Sequence, residues 1–235
     1  MNIANTERYL NWRQQKEAIF RPEYLKDSPD TILERQLNDH WKLQSRLYHD
    51  PSAAYPVDQA EHCLLDAQNT VRYTWRTLDT SAEFFEIIRH ANGRDYMIFH
   101  RELYGYSVLD LSFMTIMHFI PGPAPYGEAD FEESFIWTAP YYSSASNLLA
   151  VFGCFWACPY SVMLLDFTDP MQPQENWFDA QDLIDPECEK YDDIDFDAWS
   201  ENGDLILRVT DSDGIASHLL TITLQELQSF MKRTL

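Results

Sequence analysis

Asp192, Asp193, Asp195, Asp197, Glu201 and Asp204 place six carboxylates within thirteen residues. Hard oxygen ligands at alternate positions are what a calcium ion takes. Laid on an EF-hand loop, Asp193, Asp195 and Asp197 fill the first three ligand positions and Asp204 the twelfth. The match departs at two places. The sixth position, where the sharp turn needs glycine, is Ala198, and the twelfth is Asp rather than a bidentate Glu. The following residues also read as a strand, not a helix. An exposed strand edge produces the same spacing, with Ile194 and Phe196 inward and the aspartates in water, where they block edge-to-edge pairing. That reading explains the alternation but not the uniform sign. No metal ligand is assigned, and no cofactor is expected.

Other residue types yield no constellation. Cys154 and Cys158 are separated by three residues, but no second cysteine or histidine pair follows to complete a zinc site. They are expected to pack as small apolar side chains. The seven histidines form no HExxH; His100 and His118 fall on strands expected to be neighbours. No serine sits in a GxSxG elbow, and Glu132-Glu133 is a pair expected by chance among 38 acids. With only seven glycines there is no GxGxxG and no GxxxxGK[ST], which disfavours the common phosphate-cradling loops. No catalytic residue is nominated, and the chain is expected not to be an enzyme.

Charge is the strongest signal. No Lys or Arg occurs from Glu102 to Glu189, 88 residues, in a chain of net charge -21. Residues 1–127 hold 17 acids and 13 bases, residues 128–204 hold 18 acids and only Lys190, and residues 205–235 hold three of each. A regional negative field repels nucleic acid and anionic lipid and attracts a basic partner. Between Asp166 and Asp204 there are 14 acids, one base, and Trp177, Phe178, Tyr191, Phe196 and Trp199. Aromatic anchors among carboxylates suit a surface that meets Lys and Arg. The expected partner-binding residues are Trp177, Asp179, Asp182, Asp185, Glu187, Glu189, Tyr191, Asp192, Asp193, Asp195, Asp197, Trp199 and Glu201. The resulting expectation is an acidic cytoplasmic protein that neutralises a basic protein, as a bacterial immunity protein neutralises a toxin such as a nuclease. The alternative is an enzyme or calcium-binding protein whose site is scattered through the fold.

These residues need elements to position them. Thr6–Phe20 reads as a helix, and Ser28-Pro29-Asp30 starts another that carries Leu33, Leu37, Trp41 and Tyr48 near i+4 spacing. A third follows Pro56, with Ala60, Leu64, Ala67, Val71, Trp75 and Leu78 on one face. A fourth spans Ser81–His90 and stops at Asn92-Gly93. Thereafter β-branched and aromatic residues predict strands at Tyr96–Arg101, Tyr106–Phe119 and Phe131–Thr138, with Tyr104-Gly105 as a turn and Pro121–Gly127 as a loop. Leu148–Phe167 is two strands around Ala157-Cys158-Pro159, or a helix and a strand. Asp169–Asp204 reads mostly as loop. Leu205–Thr210, Asp211–Gly214 and Ile215–Thr223 form a hairpin, and Gln225–Arg233 a closing helix. The expected fold is one α+β domain over 1–235. A helical layer of 1–93 packs on a mostly antiparallel sheet of 94–223 that includes the acidic loop region 166–204, and 224–235 is a C-terminal helix. Leu148–Leu165 is 18 uncharged residues, yet Gly153, Pro159 and the absence of flanking bases predict a buried segment rather than a membrane span. The N-terminal residues hold no apolar signal-like stretch, so reduced thiols and a cytoplasmic location are expected.

Overall fold

The computed structural model of the protein describes residues 2–20, 31–49, 58–122, 134–156 and 159–234. It overturns the helical layer. Among the described residues, strand makes up 49% and helix 14%, in four antiparallel sheets and three short helices. The chain divides into two compact units, 1–87 with 96–134, and 88–95 with 135–235.

In the first unit, α1 (Glu7–Lys16) starts at an N-cap where the Thr6 side chain accepts from the Tyr9 amide, and it continues as one 3-10 turn, Glu17–Phe20. This is the helix expected at Thr6–Phe20. The next three expected helices are strands. Leu33 lies on β1 (Thr31–Gln36), Trp41 and Tyr48 on β2 (Trp41–His49), Ala60 and Leu64 on β3 (Asp58–Asp66), and Val71 and Trp75 on β4 (Val71–Thr77). Ser81–His90 contains β5 (Phe85–Arg89). The expected helix start at Ser28-Pro29-Asp30 lies outside the described residues. The cause of the misreading is visible in β3, where Ala60, His62 and Leu64 are all fully buried. An i,i+4 apolar pair fits a strand as well as a helix, because four is twice the strand period of two. The polar His62 between the pair concealed the alternation.

The order β1-β2-β3-β4 makes one sheet. A second, β5-β6-β7-β8, adds β6 (Asp95–Phe99), β7 (Tyr106–Asp110) and β8 (Thr115–Phe119). Both are meanders of four consecutive strands, the connectivity of a propeller blade. Tyr106–Phe119, expected as one strand, folds back on itself at residues 111–114. Leu43, Leu64, Trp75, Phe85, Met97, Phe99, Leu109 and Leu111 form the core of this unit.

In the second unit, β9 (Ile136–Ser143), β10 (Leu148–Cys154), β11 (Tyr160–Asp166) and β12 (Phe178–Asp179) give a sheet in the order β12-β11-β10-β9. Leu148–Phe167 therefore resolves into two paired strands. Leu148, Leu149, Ala150, Val151, Val162, Leu164 and Leu165 are buried, as the core reading of this stretch expected, and among the described residues no helix is long and apolar enough to cross a membrane. Gly153 sits at a register shift against β9, where a Cβ would collide with the Ile136 carbonyl. The expected loop at Asp169–Asp204 contains α2 (Ala180–Ile184) and the nine-residue β13 (Tyr191–Trp199). β13 joins β14 (Leu205–Asp211) and β15 (Ser217–Ile222) in the order β13-β14-β15, followed by α3 (Leu224–Thr234). Gly203, at φ 85°, closes the β13–β14 turn in a conformation that favours glycine. Thr223 and Glu226 form a capping box at the start of α3: the Thr223 amide donates to Glu226 Oε2 at 2.8 Å, and the Glu226 amide to Thr223 Oγ1 at 3.3 Å. A common core of Leu148, Ala150, Val162, Leu164, Ile194, Leu205, Leu207, Val209 and Leu227 joins both sheets and α3.

Candidate functional site

β13 decides where the acidic residues point. It forms a strand because Ile194 and Phe196 pack inward, Ile194 fully buried, while Asp193, Asp195 and Asp197 alternate with them. Register shifts on β14 at Tyr191/Asp193 and Phe196/Ala198 bend the strand at both ends. Across the outer face, Asp193 is paired in register with Thr210 and then Ser217, and Asp195 with Arg208 and then Leu219. Arg208 is thus the one base set among these aspartates, and its Nη2 donates to Asp197 Oδ1 at 2.5 Å. Leu219 stands beside it, 54% exposed. Partial burial, and then the neighbouring Asp193 charge, raise the Asp195 pKa against the opposing pull of Arg208. The face therefore holds like charge at a cost that an added cation would relieve.

The thirteen expected contact residues separate into two groups. Asp182, Glu187, Glu189, Asp192, Asp193, Asp197 and Glu201 are exposed, and Asp195 is half-buried. Five others are committed to the fold. Asp185 is 1% exposed, and its carboxylate accepts from the amides of Glu189, Lys190 and Tyr191 at 3.2, 2.8 and 3.2 Å and from the Gln181 side chain at 3.2 Å. Burial acts to raise its pKa, but the donors from Lys190, Glu189, Tyr191 and Gln181 together hold it below the ordinary value. Asp179 caps α2 by accepting from the Gln181 amide at 2.9 Å, and it accepts from Ser161 Oγ at 2.6 Å. Burial raises the Asp179 pKa despite those bonds. The Trp177 indole donates to the Gln174 carbonyl at 2.7 Å and meets Trp137 edge-on. Trp199 donates to the Tyr141 carbonyl at 3.0 Å, and the Tyr191 ring lies against His218. These aromatic rings and buried carboxylates shape the acidic surface rather than present it.

The calcium ligand set does not converge on β13. Asp193 and Asp195 lie along an extended strand, and Asp204 is occupied at the turn, accepting from Ser200 Oγ at 3.1 Å and from the Leu224 amide at 2.9 Å. Among the described residues no three His, Cys, Asp or Glu side chains gather to hold a metal ion. Cys63 and Cys188 are free thiols, and Cys158 lies outside the described residues.

The first unit holds polar groups that no sequence spacing announced. Arg13, on α1, donates to the carboxylate of Glu102 and to the Arg76 carbonyl at 2.5 Å, and its Nε lies 2.6 Å from Glu17 Oε1. The Tyr9 hydroxyl also donates to Glu102. Burial opposes the charge on Arg13, but Glu102, Tyr9 and Glu17 outweigh it and raise the pKa. Burial and then Glu102 raise the Tyr9 pKa as well, keeping the phenol protonated. Arg13 and Glu102 are 89 positions apart, so only folding brings them together. The i,i+4 pair of Arg13 and Glu17 was the single local hint.

His100 directly follows β6 and His118 lies on β8, and β7 stands between those two strands. His118 Nδ1 bonds Ser107 Oγ at 2.7 Å, and burial, with Arg101 and Arg13 nearby, pushes its pKa down to about 3. Burial and the proximity of His62 push that of His100 to about 3. His62 bridges Ser45 at 2.8 Å and Thr77 at 3.1 Å by hydrogen bonds, and its Nε2 lies 2.8 Å from Glu83 Oε1. Ser45 in this chain is buried, so the bonds serve to satisfy polar groups within the sheet.

These features define an antiparallel β protein with an acidic outer sheet face in one unit and a charge-compensated polar cluster in the other. No protein-family model matches the chain. No curated protein matches it. Two solved structures are similar to it at a low level. TolB from Acinetobacter baumannii is 14% identical with a TM-score of 0.31, over 75% of this chain and 40% of that one. The extracellular domain of a one-component system from B. thetaiotaomicron is 14% identical with a TM-score of 0.32, over 83% of this chain and 28% of that one. The chain thus spans less than half the length of either.

Proposed function

We propose that the protein is a binding protein that neutralises a basic partner protein through the outer face of β13-β14-β15, in the manner of an immunity protein that blocks a toxin such as a nuclease. The observation that carries this reading is the row of Asp193, Asp195 and Asp197 beside an exposed Leu219, with Arg208 as the one base set among them. Carboxylates steer and pair with Lys or Arg, and the leucine supplies the apolar contact that carries affinity once water is excluded. A nuclease is a fitting partner class because its site is positive to hold phosphate. The proposal places the protein in the cytoplasm and assigns it no catalysis.

The test uses the full chain as bait in lysate of the native host at low ionic strength. The triply reversed variant Asp193→Lys/Asp195→Lys/Asp197→Lys is run in parallel, and the captured partner is purified for kinetics. The expected result is a basic protein captured by the wild type and lost by the variant, with an association rate that falls steeply as salt rises. Retention by the variant, or an association rate flat across salt, would remove this face as the interface.

A further inference from the structure

The first unit contains a cavity unrelated to the acidic face of β13. A cavity of about 320 Å³ is lined by Glu17, Glu61, Tyr73, Arg76, Arg101 and His118. That volume is at the lower end of small-molecule sites, which run from about 300 to 1,000 Å³. It opens beside β4 and β8, each the last strand of its sheet. The charges lining it are not equivalent. Arg76 is bound to Glu61 Oε2 at 3.1 Å and lies 3.4 Å from Glu17 Oε2, and its guanidinium covers the Phe20 ring. Its charge is already answered by carboxylates. Arg101 is half-buried, and among the described residues its guanidinium makes no ion pair and no hydrogen bond. A partly desolvated guanidinium without an anion is costly, and its planar fork of donors matches a carboxylate. His118 accepts from, or donates to, Ser107 through Nδ1, which leaves Nε2 available at the cavity. The half-buried Tyr73 supplies an aromatic ring to the lining, backed by the buried Trp75 stacked on it at 5.9 Å.

We infer that this cavity binds a small organic monocarboxylate with a flat apolar body, its carboxylate on Arg101 and His118 Nε2 and its body against Tyr73. The charge count selects a monoanion. One unanswered cation faces the cavity, and Glu17 and Glu61 in the same lining repel a second negative charge, so inorganic phosphate is disfavoured. The site lies outside the acidic face of β13 and does not depend on the reading given to that face.

Phenylacetate is the probe, with phenylacetamide and inorganic phosphate as comparators, each titrated into the full chain while the imidazole resonances of His118 are followed by NMR. Phenylacetate is expected to shift His118 saturably with a Kd of about 1 mM, as befits a ligand of about ten heavy atoms. The neutral amide and phosphate are expected to bind at least about tenfold more weakly, and Arg101→Gln to weaken phenylacetate by about tenfold. An amide that binds as tightly as the acid overturns the proposal without any variant. So does phosphate that competes better than phenylacetate, or a His118 resonance that never moves. Undiminished binding to Arg101→Gln also overturns it. A thermal melt establishes that this variant is folded, and if it is not, the acid-to-amide ratio on the wild type decides.

Discussion

The two compact units handle charge in opposite ways. In the first, Arg13 is enclosed and answered by Glu102, Glu17 and a backbone carbonyl, and Arg76 by Glu61 and Glu17. In the second, the aspartates of β13 stand in a row with one arginine among them, and their repulsion is left for solvent to screen. Where water is excluded, as around Arg13 and Glu102, an unpaired charge costs several kcal/mol, so folding itself favours pairing there. On an exposed face the same repulsion costs a fraction of that, so a single sign can accumulate where a partner has use for it.

The largest effect is expected where the enclosed charges are broken. Arg13→Met leaves Glu102 buried with only Tyr9 beside it, and we expect a loss of about 3–5 kcal/mol in chemical denaturation. A loss below about 1 kcal/mol would mean that water reaches the pair and that the two units differ less than described.

Acid should act next, and through the first unit. His100 and His118 have folded pKa values of about 3, against 6.5 when unfolded. Between those values the unfolded chain binds more protons, so stability is intact above pH 6.5 and falls as the pH drops toward 3. From pH 7 to pH 5 each histidine should cost about 2 kcal/mol, and His100→Phe should flatten the profile of unfolding free energy against pH.

In the second unit Asp185 is the exception that resembles the first. Asp185→Ala leaves the Glu189, Lys190 and Tyr191 amides without their acceptor and should cost about 1–3 kcal/mol. Hydrogen exchange at those amides should accelerate more than exchange in β14. Its folded pKa is depressed, so the stability it contributes is present above the ordinary aspartate range and is lost as pH falls through the folded value.

The outer face should respond least. Reversal at Asp193, Asp195 and Asp197 should change stability by no more than about 0.5 kcal/mol, since only the exposed Asp197–Arg208 pair is lost. Asp193→Asn should lower the Asp195 pKa, because one source of repulsion is gone, and carboxyl NMR titration reads that directly. An unchanged Asp195 would show that burial alone raises it.

Much of the second unit was legible because its signals are local. The Asp211–Gly214 turn between two alternating runs specified the β14–β15 hairpin, and the apolar residues within Gln225–Arg233 marked α3. The alternation of Asp193, Asp195 and Asp197 with Ile194 and Phe196 already described one wet face and one dry face. The surrounding segment still read as loop, because its prolines and charges outweighed that short run. In the first unit the local signals misled. Ala60 and Leu64, or Val71 and Trp75, are four apart and satisfy helix and strand alike, and the residues that would have separated the two readings were a buried His62 and an exposed Val71.

By itself the sequence determined the sign and location of the charge, the lack of any local catalytic motif, and the hairpin-helix ending, because each depends on residue type or on neighbours a few positions away. Only the tertiary structure decided that β1 to β5 are strands, that five of the thirteen acidic and aromatic residues serve the fold, and that Arg101 and His118 share a cavity with Glu17. Those facts arise from pairing between positions tens of residues apart, where the burial of a polar or apolar side chain depends on a partner that no spacing along the chain can name.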